Sequence, residues 1–201
     1  MRPVAAALLL AALALPLAAE PRTYTIAGAK NAVTFTIEDA VETINGTTPK
    51  VTGTIVADAA NAGASSVEIS ADLTAIDTGI DLRDNHIRDE FVETKKFPRA
   101  TFRSVSVTLP ATPIAANQPV DVTVTGDFTL HGVTKRITTP VRIVLIPESE
   151  ITKSTRGAGD WLHATATFPL TLSEFGVKVP TSFASDRVEV RMDVFAGAAR
   201  R

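Results

Sequence analysis

The 201-residue chain has no cysteine. That excludes disulfides, a thiol nucleophile and a thiolate metal site. It also lacks a charge excess of one sign: 20 Lys and Arg stand against 22 Asp and Glu, a formal net charge of −2. No basic stripe exists, which argues against a nucleic-acid partner. There is no G-x-S-x-G elbow, no phosphate loop and no dinucleotide fingerprint. No amphipathic helix of useful length is present, which argues against a stable membrane anchor. Apolar runs are short, and the longest, Val4 to Leu15, is too short to span a bilayer as a helix, which takes roughly 20 residues.

That one run has its own meaning. Arg2 precedes it, and Pro16-Leu17-Ala18-Ala19 follows. A basic start, a short apolar stretch and small terminal residues are the parts of a secretory signal peptide, with cleavage expected after Ala19. No cysteine follows, so a lipoprotein anchor is excluded. Export to a bacterial periplasm is the expected localisation. Residues 20–201 are then a single domain, large enough for its own core.

What the chain has in abundance is alternation. Val33, Phe35 and Ile37 alternate with Thr34, Thr36 and Glu38. Val51 and Ile55 continue through Gly53, and Val67, Ile69, Ala71 and Leu73 form the next row. Val120, Val122, Val124, Phe128 and Leu130 lie opposite Asp121, Thr123, Thr125, Asp127 and Thr129. Leu162 to Leu172 and Val188 to Val194 repeat the pattern. A period of two predicts strands with one wet and one apolar face. About eight such strands, separated by turn residues, suggest an antiparallel sandwich or barrel, and periodicity alone does not choose. Turns are expected at Asn45-Gly46, Ala62-Gly63, Pro110 to Pro119 and Gly157-Ala158-Gly159. Asp81 to Phe91 breaks the alternation and predicts a short helix or ordered loop. Residues 196–201 read as a frayed tail.

Little in the chain asks for catalysis. His86, His131 and His163 are not spaced as zinc ligands on one element, and neither a metal nor a cofactor is indicated. His131, beside Gly132, reads as a turn histidine bonded to backbone. The acidic residues from Asp77 to Glu90 read as solvated, or paired with Arg83, Arg88 and Lys95. The apolar rows allow either a packed core or a cavity. The small inward residues Ala71, Gly126, Ala164 and Ala166 favour volume inside.

Six motifs carry more specific information. They are Ser65-Ser66-Val67-Glu68, Ile76-Asp77-Thr78-Gly79, Arg83-Asp84-Asn85-His86-Ile87, Phe91 through Phe102, and Gly126 through Lys135, closed by Leu172 to Val177. In this order they resemble the YceI-like family of bacterial proteins. The resemblance implies an all-β fold, an eight-stranded antiparallel lipocalin-like barrel with a short helix or loop at its mouth. It implies a binder or carrier without chemical turnover, and a polyisoprenoid-like or fatty amphiphile as the ligand. The expected lumen residues are Phe35, Val51, Ile55, Ile69, Phe102, Val124, Phe128, Leu130, Val141, Ile143, Phe168 and Val190. Ile80, Leu82, Ile87 and Phe91 are expected to frame the mouth. Arg83, Asp84 and His86 are expected to hold that segment by hydrogen bonds. The chain departs from the pattern between Ala32 and Gly53, which has no histidine and no aromatic after Phe35; that puts the ligand in question more than the fold. A ligand-free barrel acting as an interaction or stress-related protein is the alternative. A homodimer is compatible with the sequence.

Overall fold

The structure is a computed structural model that describes residues 21–27, 31–38, 42–58, 61–110, 114–179 and 185–198. The expected signal peptide lies outside the described residues.

Among these residues ten strand segments form one antiparallel sheet. They are β1 (Arg22–Ile26), β2 (Ala32–Glu38), β3 (Thr43–Thr48), β4 (Val51–Ala57) and β5 (Ser66–Asp72). β6 (Arg99–Thr108), β7 (Pro119–Leu130), β8 (Val133–Ile146), β9 (Trp161–Thr171) and β10 (Arg187–Gly197) follow. β1 and β2 both run antiparallel to β10, one beside each end of it, and together fill one strand position. Their partners β4 and β3 fill the next. The ten segments therefore occupy eight positions, and the pairing of Ile26 with Ala196 closes the barrel. Closure removes the edges that an open sheet would expose. This decides between barrel and sandwich.

The alternation maps onto the wall as expected. On β7, Val122, Val124, Phe128 and Leu130 are buried. Between them, outward residues bind across to β8: Arg136 to Asp127, Arg142 to Asp121, and Thr125 and Thr129 to Thr138 and Thr134, each hydroxyl pair at 2.8 Å. Cross-strand pairs of this kind hold register on a wet face. His131 and Gly132, at φ 51° and 76°, make the two-residue turn from β7 to β8. Two successive positive φ values match the right-handed strand twist there, and glycine carries the second at no steric cost.

Several expectations fail for local reasons. Asn45-Gly46 is not a turn but lies inside β3, where Gly46 pairs with Phe35. A Cβ on Gly46 would come within 2.2 Å of the Phe35 ring, so the glycine is the bed for that ring. Ala196 and Gly197 are not frayed: Ala196 is fully buried within β10, held there by barrel closure. Val105 interrupts the β6 alternation, exposed at a bulge between Ser104 and Ser106. A second short helix, α2 (Glu150–Thr155), was not anticipated; Ser149 and Thr152 close a capping box at its start.

The two barrel ends differ. At one end lie the β7–β8 turn, the segment joining β5 to β6, and the helical turn Leu172–Phe175 that follows β9. The segment joining β5 to β6 contains α1 (Asp81–His86), which runs on into a single π-helical turn, Ile87–Phe91. At the other end lie α2, the end of β6 and the start of β7.

Candidate functional site: a lumen with a helical rim

Two buried apolar clusters line the barrel, one toward each end. Tyr24, Ile26, Ala164 and Val194 belong to the first, and Phe128, Leu170, Phe175 and Val190 to the second. Between and through them runs a cavity of about 1010 Å³. At a water's share of about 30 Å³ in the liquid, that is room for roughly 30 water-sized units. β7 has 12 residues. At about 3.3 Å per residue and a tilt near 40°, it spans about 30 Å along the barrel axis. The lumen is long as well as large.

Of the residues expected to line it, Phe35, Ile55, Ile69, Phe102, Val124, Phe128, Leu130, Val141, Ile143, Phe168 and Val190 do so. Val51 does not. It is buried in the first cluster, at the start of β4 just past the break from β3, where it belongs to the packed wall. Ala71, Ala164 and Ala166 border open volume, as their size suggests. Gly126 does not, because the Phe102 ring lies where its Cβ would be, 2.4 Å away. Rings laid over glycines on a neighbouring strand are a device for fitting aromatics into a curved wall.

Ile80, Leu82, Ile87 and Phe91 border the cavity at the α1 end. Ile80 is 49% and Leu82 66% exposed, so the apolar lining continues outward onto the rim.

Hydrogen bonds fix this rim. Asp84 is buried and accepts from the Thr78 backbone N–H at 2.8 Å and the Thr78 hydroxyl at 2.5 Å. Arg83 donates from Nε to Thr78 Oγ1, from Nη2 to the Thr78 carbonyl and from Nη1 to Glu42 at 2.7 Å. Arg88 donates to the Ile76 carbonyl at 2.6 Å. Asp77 and Thr47 exchange backbone bonds, which tie the segment to β3. The expected structural role of Arg83 and Asp84 therefore holds. His86 differs: its Nε2 lies 3.9 Å from the Glu90 carboxylate, and the residue borders the cavity mouth.

The motif histidine His131 serves the same end of the barrel. Its ring nitrogens meet the Phe175 carbonyl at 3.3 Å and the Glu93 carboxylate at 2.8 Å, and Phe97 packs edge-on at 4.5 Å. Lys96 also binds Glu93. These partners, Lys96 first and His131 second, hold the Glu93 carboxyl below its ordinary value. Three motifs far apart in sequence thus meet in one latch. Sequence reasoning had His131 bonded to backbone but did not reach Glu93.

At the opposite end Asp160 accepts from the Glu148 backbone N–H at 2.9 Å and pairs with Arg22. Both Asp160 and Arg22 border the cavity. Its pKa is lowered, chiefly by the Glu148 N–H, with Arg22 adding to this against desolvation. Tyr24, also lining the lumen, has its pKa raised by burial. Neither residue had been singled out from sequence. Among the described residues no group of three or more His, Cys, Asp or Glu is arranged to hold a metal.

The fold and site define a closed antiparallel β-barrel enclosing a long apolar lumen. The profile of the YceI-like domain family matches residues 24–196, and the chain belongs to that family. Protein YceI of Escherichia coli is 31% identical over 156 residues, covering 74% of this chain and 71% of that one. Protein YceI of Salmonella arizonae is 30% identical over the same span. Among solved structures, Burkholderia cenocepacia BcnA superposes with a TM-score of 0.68 at 21% identity, over 85% of this chain and 99% of that one. A polyisoprenoid binding domain from Saccharophagus degradans, implicated in plant cell wall breakdown, gives 0.67 at 18% identity, over 88% and 98%.

Proposed function

We propose that this protein is an exported binder or carrier of a long apolar or amphiphilic molecule, held in the lumen without chemical change. The observation that carries the reading is the cavity of about 1010 Å³ lined by the inward rows of the barrel. A packed core does not leave such volume, since protein interiors fill space like organic crystals. A hydrocarbon moved from water into this lumen gains about 0.8 kcal/mol per buried methylene. The polyisoprenoid binding domain of similar fold is consistent with a chain of that kind. Export rests on the sequence of residues 1–19, and the periplasm is the proposed compartment.

The test compares native and solvent-extracted, denatured mass spectra of protein purified from a bacterial periplasm. A discrete extra mass, recovered as an extractable apolar molecule, is the expected result. Protein that is empty, and stays empty after incubation with isoprenoids and fatty amphiphiles, would shift the assignment to a ligand-free interaction protein.

A further inference from the structure

The lumen wall is apolar, but its two ends carry charge, and the balance of that charge bears on the ligand's head. The charged residues lining the cavity are Arg22, Arg83, Glu42, Asp58, Glu90 and Asp160. Glu42, Arg83 and Glu90 stand at the α1 end; Arg22, Asp58 and Asp160 stand at the other. Leaving His86 aside, the residues lining the α1 end include one cation, Arg83, against two carboxylates, Glu42 and Glu90; at the other end the lining cation Arg22 is matched by Asp160.

Both cations are already engaged. All three guanidinium nitrogens of Arg83 donate to Thr78 or Glu42. Arg22 pairs with Asp160. A phosphate or carboxylate head at either end would find no uncommitted lining cation among the described residues, and at the α1 end would face more lining carboxylate than lining cation. Held partly out of water, such a head needs a paired charge to offset its lost hydration. An uncharged head needs less. At the α1 mouth a hydroxyl can donate to the Glu90 or Glu42 carboxylate and accept from a His86 N–H. Both of these carboxylates are more than half exposed, so water shares in the same bonds.

We propose that the lumen selects long-chain amphiphiles with an uncharged polar head, an alcohol or carbonyl, over their phosphate or carboxylate counterparts. This rests on the reading of the lumen as a ligand site. It adds a head-group preference that the apolar wall does not specify.

The experiment displaces a neutral naphthylamine probe from the protein with geranylgeraniol and, separately, with geranylgeranyl phosphate. The alcohol is expected to bind about tenfold tighter, the effect of one uncompensated like charge near the surface. Glu90→Gln, which leaves the Arg83 bonds in place, and Glu42→Gln, which removes the carboxylate charge beside Arg83, are each expected to narrow that ratio. Equal or tighter binding of the phosphate by the unaltered protein would overturn the proposal. So would a ratio unmoved in both variants. Failure of both ligands to displace the probe would overturn the carrier reading itself, and the head-group preference with it.

Discussion

Filling the lumen from the wall should abolish binding while leaving the fold intact. Ala166 sits midway along β9, opposite Met192 on one side and Val141 on the other, and borders the cavity. In Ala166→Trp the new indole enters existing space, so the usual cost of overpacking, about 1–3 kcal/mol, is largely avoided. The ring takes the place of about four to six ligand methylenes. At about 0.8 kcal/mol each, the lost burial is about 3–5 kcal/mol. That is a loss of two to three orders of magnitude in affinity, at about 1.4 kcal/mol per decade. The control is Thr167→Trp, one residue along, exposed on the outer face. Titration of the naphthylamine probe gives Kd, and a thermal melt reports folding. Ala166→Trp that melts like the parent yet binds with an unchanged Kd would mean that the ligand does not lie along β9.

Other perturbations test separate parts of the account. Phe128 is buried and meets Phe168 and Phe175 edge-on at 6.0 and 5.5 Å. Phe128→Arg should end ligand uptake and cost about 3–5 kcal/mol in denaturant unfolding, whereas Thr129→Arg, pointing outward, should do neither; equal ligand retention in both would contradict the facing assignment. Gly53→Ala would drive a Cβ to 2.2 Å from the Glu68 carbonyl oxygen on β5, and is expected to cost about 2–4 kcal/mol by urea titration. A cost near zero would mean that β4 and β5 are not so close. Because the Asp160 carboxyl is held below its ordinary value, the stability it contributes is present above about pH 4 and is lost as pH falls through its lower folded pKa. Asp160→Asn should flatten the fall of Tm below about pH 4, and an unchanged slope would dismiss that contribution. His131→Ala should weaken the latch, lowering stability by about 1–3 kcal/mol while ligand still binds, measured by melt and probe titration together.

The inward rows were legible because burial on one face writes a period of two into the sequence, and β7, β9 and β10 carry it almost without interruption. The rim was legible as a break in that period, and its hydrogen-bonding motif identified Arg83 and Asp84. Other features depend on partners too distant in sequence to read. Gly46 looks like a turn until Phe35 is seen lying on it. Ala196 looks like tail until Ile26 is seen paired to it across the closing seam. Gly126 looks like empty space until the Phe102 ring fills it. The Arg22–Asp160 pair joins residues 138 apart, and no local pattern announces it. α2 is six residues long and has almost no apolar stripe, so only its Ser149–Thr152 cap could have marked it.

The central claim is that the ligand's chain lies inside the barrel. A crystal structure grown with a terminally brominated long-chain alcohol tests it most directly, by the position of the anomalous bromine peak. The peak is expected within the lumen, in the space bordered by Phe128, Ala166 and Tyr24. A peak on the outer surface with the lumen empty would contradict it.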